Sequence, residues 1–380
     1  MTAPFPTGPT LRRLALAGLL AAPALAAQAA YVETDLVSNV PGRAAQLDPD
    51  LVNPWGLSAS PTSPWWVSDN GTGLSTLYNG SGVKQGLVVT IPPSPGSPPG
   101  TTSTPTGQVF NPTTDFQITP NTPARFLFAT EDGTIAGWNP GTGTVAPLKI
   151  DNSASGAVYK GLALGSTGSG NLLYAANFTG GKIDVFDAAF TPTTPGGGFL
   201  DPNLPAGYVP FNIQNLGGQL YVTYALRQPG ADDETAGPGL GIVDVFDTDG
   251  SLIRRLATGG TLNAPWGLAL APAGFGEFAG ALLVGNFGDG LINAFDAATG
   301  AFLGQIADAT GTPIAIDGLW GLAFGNGGNA GSPNELFFTA GLDDEANGLF
   351  GKLSAVSVPE PASWTLLTLG LAGLRRRTRR

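Results

Sequence analysis

The chain has 380 residues, 42% of them hydrophobic and only 12% charged, with 57 Gly and 33 Pro but also 20 Phe, 7 Trp and 7 Tyr. A Gly/Pro load of that size without a collagen period signals either disorder or many tight turns, and the aromatic content decides for a turn-rich, all-β chain. No Cys and no His occur, which excludes thiol catalysis, disulfides, histidine bases, Ser-His-Asp triads and His- or Cys-held metals. The net charge is -11, and residues 31–357 hold 27 of the 28 acids but 10 of the 17 basic residues, a body that repels nucleic acid.

In chain order, residues 1–29 come first. Arg12 and Arg13 precede an apolar stretch from Leu14 to about Ala27, followed by the small-residue options Ala24-Leu25-Ala26 and Ala27-Gln28-Ala29. That is the layout of a secretory signal helix with its cleavage site.

Residues 31–356 repeat. "NPWGLSAS" from Asn53, "NAPWGLALAP" from Asn263 and "DGLWGLAFGN" from Asp317 are copies, with weaker cousins starting at Pro105, Tyr159 and Phe211. Successive starts lie about 52 to 54 residues apart. Each start is followed by a second apolar run ("PWWVSDNGTG", "NLLYAANFTGG", "ALLVGNFGDG"), and most by a third, of which three share Phe-Asp: Phe186-Asp187, Phe246-Asp247 and Phe295-Asp296. Short β-rich runs bounded by Gly, Asn and Asp are strands joined by hairpins. A unit of about 50 residues holding three or four strands is a propeller blade, so the expected fold is a six-bladed β-propeller. The reason for repetition is burial: one thin sheet leaves both faces wet unless it stacks on a neighbour.

Residues 91–106 read as a Pro/Ser/Thr-rich loop between the first and second blades, and 191–207 and 227–239 as inter-strand insertions. The segment "ETDLVSN" (33–39) is placed as the outer strand of the last blade, against "GLFGKLSAV" (348–356), latching the two ends of the ring.

The chain closes with Pro359-Glu360-Pro361, an apolar run from Ala362 to Leu374 and "RRRTRR". The run is short for a span of about 20 residues, and the positive-inside rule keeps its arginines in the cytoplasm. Residues 358–380 resemble the PEP-CTERM sorting signal of Gram-negative bacteria. The resemblance implies an exosortase-type membrane protease as partner, a transient inner-membrane anchor through the tail alone, and a destination at the cell surface or outside it. The blades, through "PWGLA", "FLFATEDGTIAGW", "LYAANFTGGKIDVFD" and "DGLWGLAFGNG", resemble an uncharacterised bacterial propeller family that often carries such tails, and more distantly NHL-type and SMP-30-like propellers.

In a propeller the innermost strands line a central channel. Asn53, Asn212, Asn263 and Asp317 stand at the starts of those strands, and oxygens converging there suit a hard cation such as Ca²⁺. Calcium-dependent lactonase-like propellers, which the chain resembles, place Asn and Asp at comparable points. The bland alternative is that these side chains cap turns. Trp55, Trp266 and Trp320 either stack on a sugar ring or pack the blades together. Lys160, in "YKGL", is a channel candidate that neutralises acids or binds an anion. The second-strand ends carry further polar candidates, among them Asn70, Glu131 and the acids of "LDDEANG". Two functions follow: a binding or scaffold module for exopolysaccharide or a surface protein, or a Ca²⁺-dependent lactonase, hydrolase or lyase. No P-loop, nucleophile elbow or dinucleotide fingerprint is present.

Overall fold

A computed structural model describes residues 29–357. The expected signal helix, apart from Ala29, and the expected sorting tail at 358–380 lie outside the described residues. Within them the strands form six antiparallel blades around one axis.

The innermost strands are Pro54–Ser58, Pro105–Phe110, Tyr159–Thr167, Tyr208–Leu216, Pro265–Leu270 and Leu319–Phe324. Their starts match the sequence repeat. Second strands follow at Trp65–Asp69, Phe126–Thr130, Gly170–Asn177, Gln219–Arg227, Leu282–Asn286 and Glu335–Ala340. The sixth blade takes its outer strand from the other end of the described chain. Ala29–Ser38 runs antiparallel to Leu349–Ser357, with Glu33 opposite Leu353 and Ser38 opposite Leu349, so the expected latch is present. Tyr31 and Val37 of that strand are buried, and the Tyr31 hydroxyl donates to the Phe275 carbonyl 3.0 Å away in the fifth blade.

Each gap between neighbouring blades holds its own apolar core. Trp66, Phe126, Phe128 and Trp138 fill the gap between blades 1 and 2; Tyr174, Val222, Tyr224 and Phe246 fill that between blades 3 and 4. Burying one such side chain contributes roughly 1.5–3 kcal/mol. The Phe-Asp repeats divide this labour. Phe186, Phe246 and Phe295 are buried, while the following Asp187, Asp247 and Asp296 accept backbone N–H groups of their hairpin turns.

The loops depart from expectation in one boundary. The 91–106 loop ends at Thr104, because Pro105 and Thr106 belong to the second blade's inner strand. The 191–207 insertion is held to the blades: Phe199 packs on Tyr174 and Phe246, and Asp201 pairs with Arg255.

Candidate functional site

One irregularity recurs in every blade. The ladder between first and second strands slips near the start of the inner strand, between Pro54 and Leu57, Pro105 and Gln108, Tyr159 and Gly161, Pro210 and Asn212, Pro265 and Gly267, and Leu319 and Leu322. A bulge of this kind re-aims a side chain. The residues at the start of each slip are Trp55, Thr106, Lys160, Phe211, Trp266 and Trp320. Trp55, Phe211, Trp266 and Trp320 meet in one buried cluster on the axis with Phe178.

The next residue along is Gly56, Gly107, Gly161, Asn212, Gly267 or Gly321. A Cβ on Gly56 would lie 2.3 Å from the Thr106 carbonyl oxygen, and one on Gly267 2.6 Å from that of Trp320. Glycine is therefore required where adjacent inner strands approach most closely. The repeated Trp-Gly-Leu thus has a division of roles: Trp plugs the axis, Gly lets the ring close, and Leu enters the cores between blades. Asn212 stands in the glycine place and bridges the same gap with its amide, donating to the Trp266 carbonyl at 2.7 Å.

The Trp copies face one another. The Trp55 and Trp320 rings stack with centroids 3.5 Å apart, and Trp266 meets both edge-on. All three are nearly inaccessible, so no face is open for a sugar ring.

Lys160 replaces Trp in the third blade. Its side chain is 1% exposed, and its Nζ lies 5.1–5.7 Å from the Phe178, Trp55 and Phe211 ring centroids. Carboxylates close the shell: Asp233 at 3.0 Å, Glu131 at 3.4 Å and Glu234 at 3.5 Å. Burial pulls the ammonium's pKa down, but the carboxylates of Glu234, Glu131 and Asp233 outweigh it and hold Lys160 charged.

A chain of hydrogen bonds extends from this cation across the mouth. Asn70 Nδ2 donates to Glu131 Oε2 at 2.9 Å; Asn53 Nδ2 donates to Asn70 Oδ1 at 3.3 Å and to Glu345 Oε2 at 2.8 Å; Trp320 Nε1 donates to Asn53 Oδ1 at 3.1 Å. Glu345 ends a run of three acids, Asp343, Asp344 and Glu345, all with φ between 51° and 66°. Three successive left-handed residues without glycine are strained, and this strain accompanies the seating of Glu345 against Asn53. Burial first, then the facing Glu234 carboxylate, push the Glu345 carboxyl up to about 7 against the opposing Asn53 bond.

The four expected metal ligands do not form one set. The carbonyls of Asn53, Ala264 and Gly318 each accept from the residue after their second strand (Asn70, Phe287 and Gly341), which makes these three positions equivalent. Asn263 and Asp317 sit one residue earlier, and Asn212 in the glycine place. Each is also engaged. Asn263 Oδ1 accepts from Gly237 N, Asp317 Oδ2 from Asp343 N, Asn53 Oδ1 from Trp320 and Asn212 Oδ1 from Ile213 N. Among the described residues no group of three or more acids is arranged to hold a metal ion. These residues do not fit Ca²⁺ on the axis, where the Lys160 ammonium already supplies a positive charge. Of the residues singled out from the sequence, the structure brings together Trp55, Lys160, Trp266, Trp320, Asn53, Asn70, Glu131 and Glu345. Phe178, Phe211, Asp233 and Glu234 complete that group and were not anticipated. A signal existed for the last two: Asp-Asp-Glu occurs at 232–234 and again at 343–345, and both glutamates end on the hub.

Residues 357–380 match the PEP-CTERM protein-sorting motif. The chain is also 36% identical over 329 residues to Uncharacterized protein R648 of Acanthamoeba polyphaga mimivirus, covering 84% of this chain and 78% of the relative. To Uncharacterized protein L690 of the same virus it is 37% identical over 335 residues, covering 84% of each. The chain belongs to the family of these two proteins. Members of the R648/L690 family are thus matched along most of their length, with the sorting motif lying at this chain's C-terminal end. Solved structures with the same fold include a protein of unknown function from Bacteroides thetaiotaomicron (TM-score 0.53, 13% identity, 87% of this chain and 77% of that one) and virginiamycin B lyase from Staphylococcus aureus (TM-score 0.50, 14% identity, 87% and 100%). At such identities they establish the propeller architecture of the family member described here and nothing of its chemistry. The PEP-CTERM motif marks an exported, exosortase-processed protein.

Three carboxyls give the fold a pH dependence. Burial above all pushes Glu345, Asp244 and Glu33 each up to about 7, with the neighbouring Asp201 carboxylate adding to Asp244 and that of Asp35 to Glu33. The native state therefore keeps protons that the unfolded chain has already released. Stability from these groups is fully present below the unfolded carboxyl range and is lost as pH rises through about 7. Thermal melts should show a lower midpoint at pH 8 than at pH 5, and Asp244→Asn should flatten that slope. A midpoint that rises between those values would contradict the assignment.

Proposed function

We propose that the protein is an exported binding or scaffold module of a Gram-negative cell surface, and that its ligand is an exopolysaccharide. On this reading residues 1–29 are a signal peptide. Cleavage after Ala29 would leave almost all of the ring-closing strand on the mature protein. The 362–374 run holds the protein in the inner membrane until an exosortase-type protease acts at Pro359-Glu360-Pro361.

One observation carries the choice of binding over catalysis. The candidate groups on the axis are sealed or bonded to one another: the Trp rings are buried, Lys160 is enclosed, and each candidate amide or carboxylate of the metal set accepts from a protein donor. A lactonase, hydrolase or lyase needs an open acid, base or metal position beside its substrate. The acid-rich body also disfavours polyanions as partners, which points to a neutral glycan.

The test uses the exported protein recovered from its host. Binding to the host's exopolysaccharide should persist in excess EDTA, with no shortening of the polymer and no opening of lactone substrates. Divalent-dependent turnover that disappears in Asp317→Asn would overturn the reading in favour of the enzyme.

A further inference from the structure

The outer cover of the blades is incomplete in the third. In blades 1 to 5 the third strand ends on an aromatic: Tyr78, Trp138, Phe186, Phe246 and Phe295. Three residues before it stand Ser75, Ile135, Ile183, Val243 and Ile292. Four of these five have an outer chain beside them. Val89 lies opposite Ser75, Ile150 opposite Ile135 and Ala257 opposite Val243, and the Ile306 N–H donates to the Ile292 carbonyl at 3.0 Å. Under that cover Ser75, Ile135, Val243 and Ile292 are inaccessible, whereas Ile183 is only half-buried. The outer strand of blade 3 is just Pro192–Thr193, opposite Phe186 and Val185. Among the described residues no strand pairs with Lys182, Ile183 or Asp184 on that side.

The backbone of Ile183 is aimed at this open edge. The Asp187 N–H donates outward to the Thr191 carbonyl at 2.9 Å. Sides alternate along a strand, so Val185 and Ile183 also direct their N–H and C=O groups outward. Continued register would bring Pro195 opposite Ile183, and proline has no N–H to give. The chain leaves for blade 4 instead: the Gly197 and Phe199 N–H groups donate to the Asp249 and Gly250 carbonyls at 2.8 and 3.0 Å. A cavity of about 690 Å³ lies where the strand would continue, within the usual range for ligand sites. Its wall includes every residue from Lys182 to Phe186. Successive strand residues face opposite sides of a sheet, so the cavity follows the edge and not one face. Ala157 and Phe199, which belong to the cores on either side of blade 3, bound it laterally. Lys182, the kind of charge that blunts an edge, is bent onto Asp184 at 2.8 Å.

We infer that this edge takes an extended peptide segment of a partner protein as the fourth strand of blade 3, with an isoleucine or valine set over Ile183. The Ile183 N–H donates to a peptide carbonyl, and the Ile183 carbonyl accepts the N–H of the same peptide residue. The other blades define what fits, since Ile150 and Ile306 occupy this place in blades 2 and 5. Main-chain bonds supply affinity in such strand addition, and the side chain over Ile183 supplies selectivity. Residues 31–357 hold 27 acids against 10 basic residues, which selects a segment that is basic or neutral. The inference stands apart from the exopolysaccharide reading and concerns a different surface.

The experiment uses the intact exported protein and the probe acetyl-Thr-Lys-Ile-Lys-Thr-amide. Fluorescence anisotropy of the labelled peptide should show saturable binding. Methylating the isoleucine nitrogen removes one donor and keeps the side chain, and should weaken binding about tenfold. Replacing that isoleucine by aspartate should weaken it at least as much. Hydrogen exchange read by NMR should locate the peptide: the Ile183 amide should slow about tenfold at saturation. The Asp184 amide, which faces strand 170–177, should not change. No binding, equal binding of the methylated peptide, or protection at the outer strand 302–305 instead of Ile183 would each overturn the site. Protection of Ile183 that grows with protein concentration in the absence of peptide would overturn the foreign partner in favour of a second copy of this chain.

Discussion

Lys160→Met should destabilise the fold by about 3–5 kcal/mol, the cost of removing one partner from a buried ionic cluster. The methionine fills the space of the lysine stem, so the loss comes from charge and not from a cavity. Glu234 has a side-chain exposure of only 5% and would face no cation, while Glu131 and Asp233 lose the same partner. Cation–π contact with three rings goes as well. Scanning calorimetry should register a fall in midpoint of about 4–7 °C for a domain of this size. Adding Glu131→Gln and Glu234→Gln to the same chain should restore part of the loss, since the uncompensated carboxylates are then gone. A fall worth less than about 1 kcal/mol would mean that solvent reaches the cluster and that the hub is not sealed.

Removing residues up to Ser38 should cost more still. Ring closure rests on the pairing of 29–38 with 349–357, and the strand buries Tyr31, Leu36 and Val37 at roughly 2 kcal/mol each before any ladder bond is counted. It also bridges to the fifth blade, through the Tyr31 hydroxyl to Phe275 and the Tyr31 N–H to Ala307. A chain beginning at Asn39 leaves strand 349–357 as an open edge next to an uncovered core, a template for pairing with other chains. The expected outcome is aggregation on expression, against a soluble monomer for a chain beginning at Ala30. Tyr31→Phe, which removes one hydrogen bond and keeps the ring, should cost only about 1 kcal/mol and serves as the graded control. A soluble, cooperatively melting protein from Asn39 onward would show that the other blades close without the latch.

The propeller was legible because its cause is local and repeated. Apolar runs separated by turn residues, recurring every 52 to 54 residues, require stacked sheets whatever the side-chain details. The latch was legible for a related reason: a ring of thin sheets leaves one blade short of a strand. The sorting motif needs no fold to be read.

The axial groups behaved differently. The sequence alone set the blade count, the Trp-Gly-Leu frame and the acid excess, because each is a property of runs and periods. Only the tertiary structure decided which atoms meet. A bulge shifts the register by one residue, which turns Trp55 and Lys160 onto the axis beside residues from the four other blades. The partners of Lys160 come from residues 131, 233 and 234, and the glutamate joined to Asn53 is 292 residues away. Hydrogen bonding acts over about 3 Å in space and is blind to separation along the chain, so no spacing rule could have found those contacts.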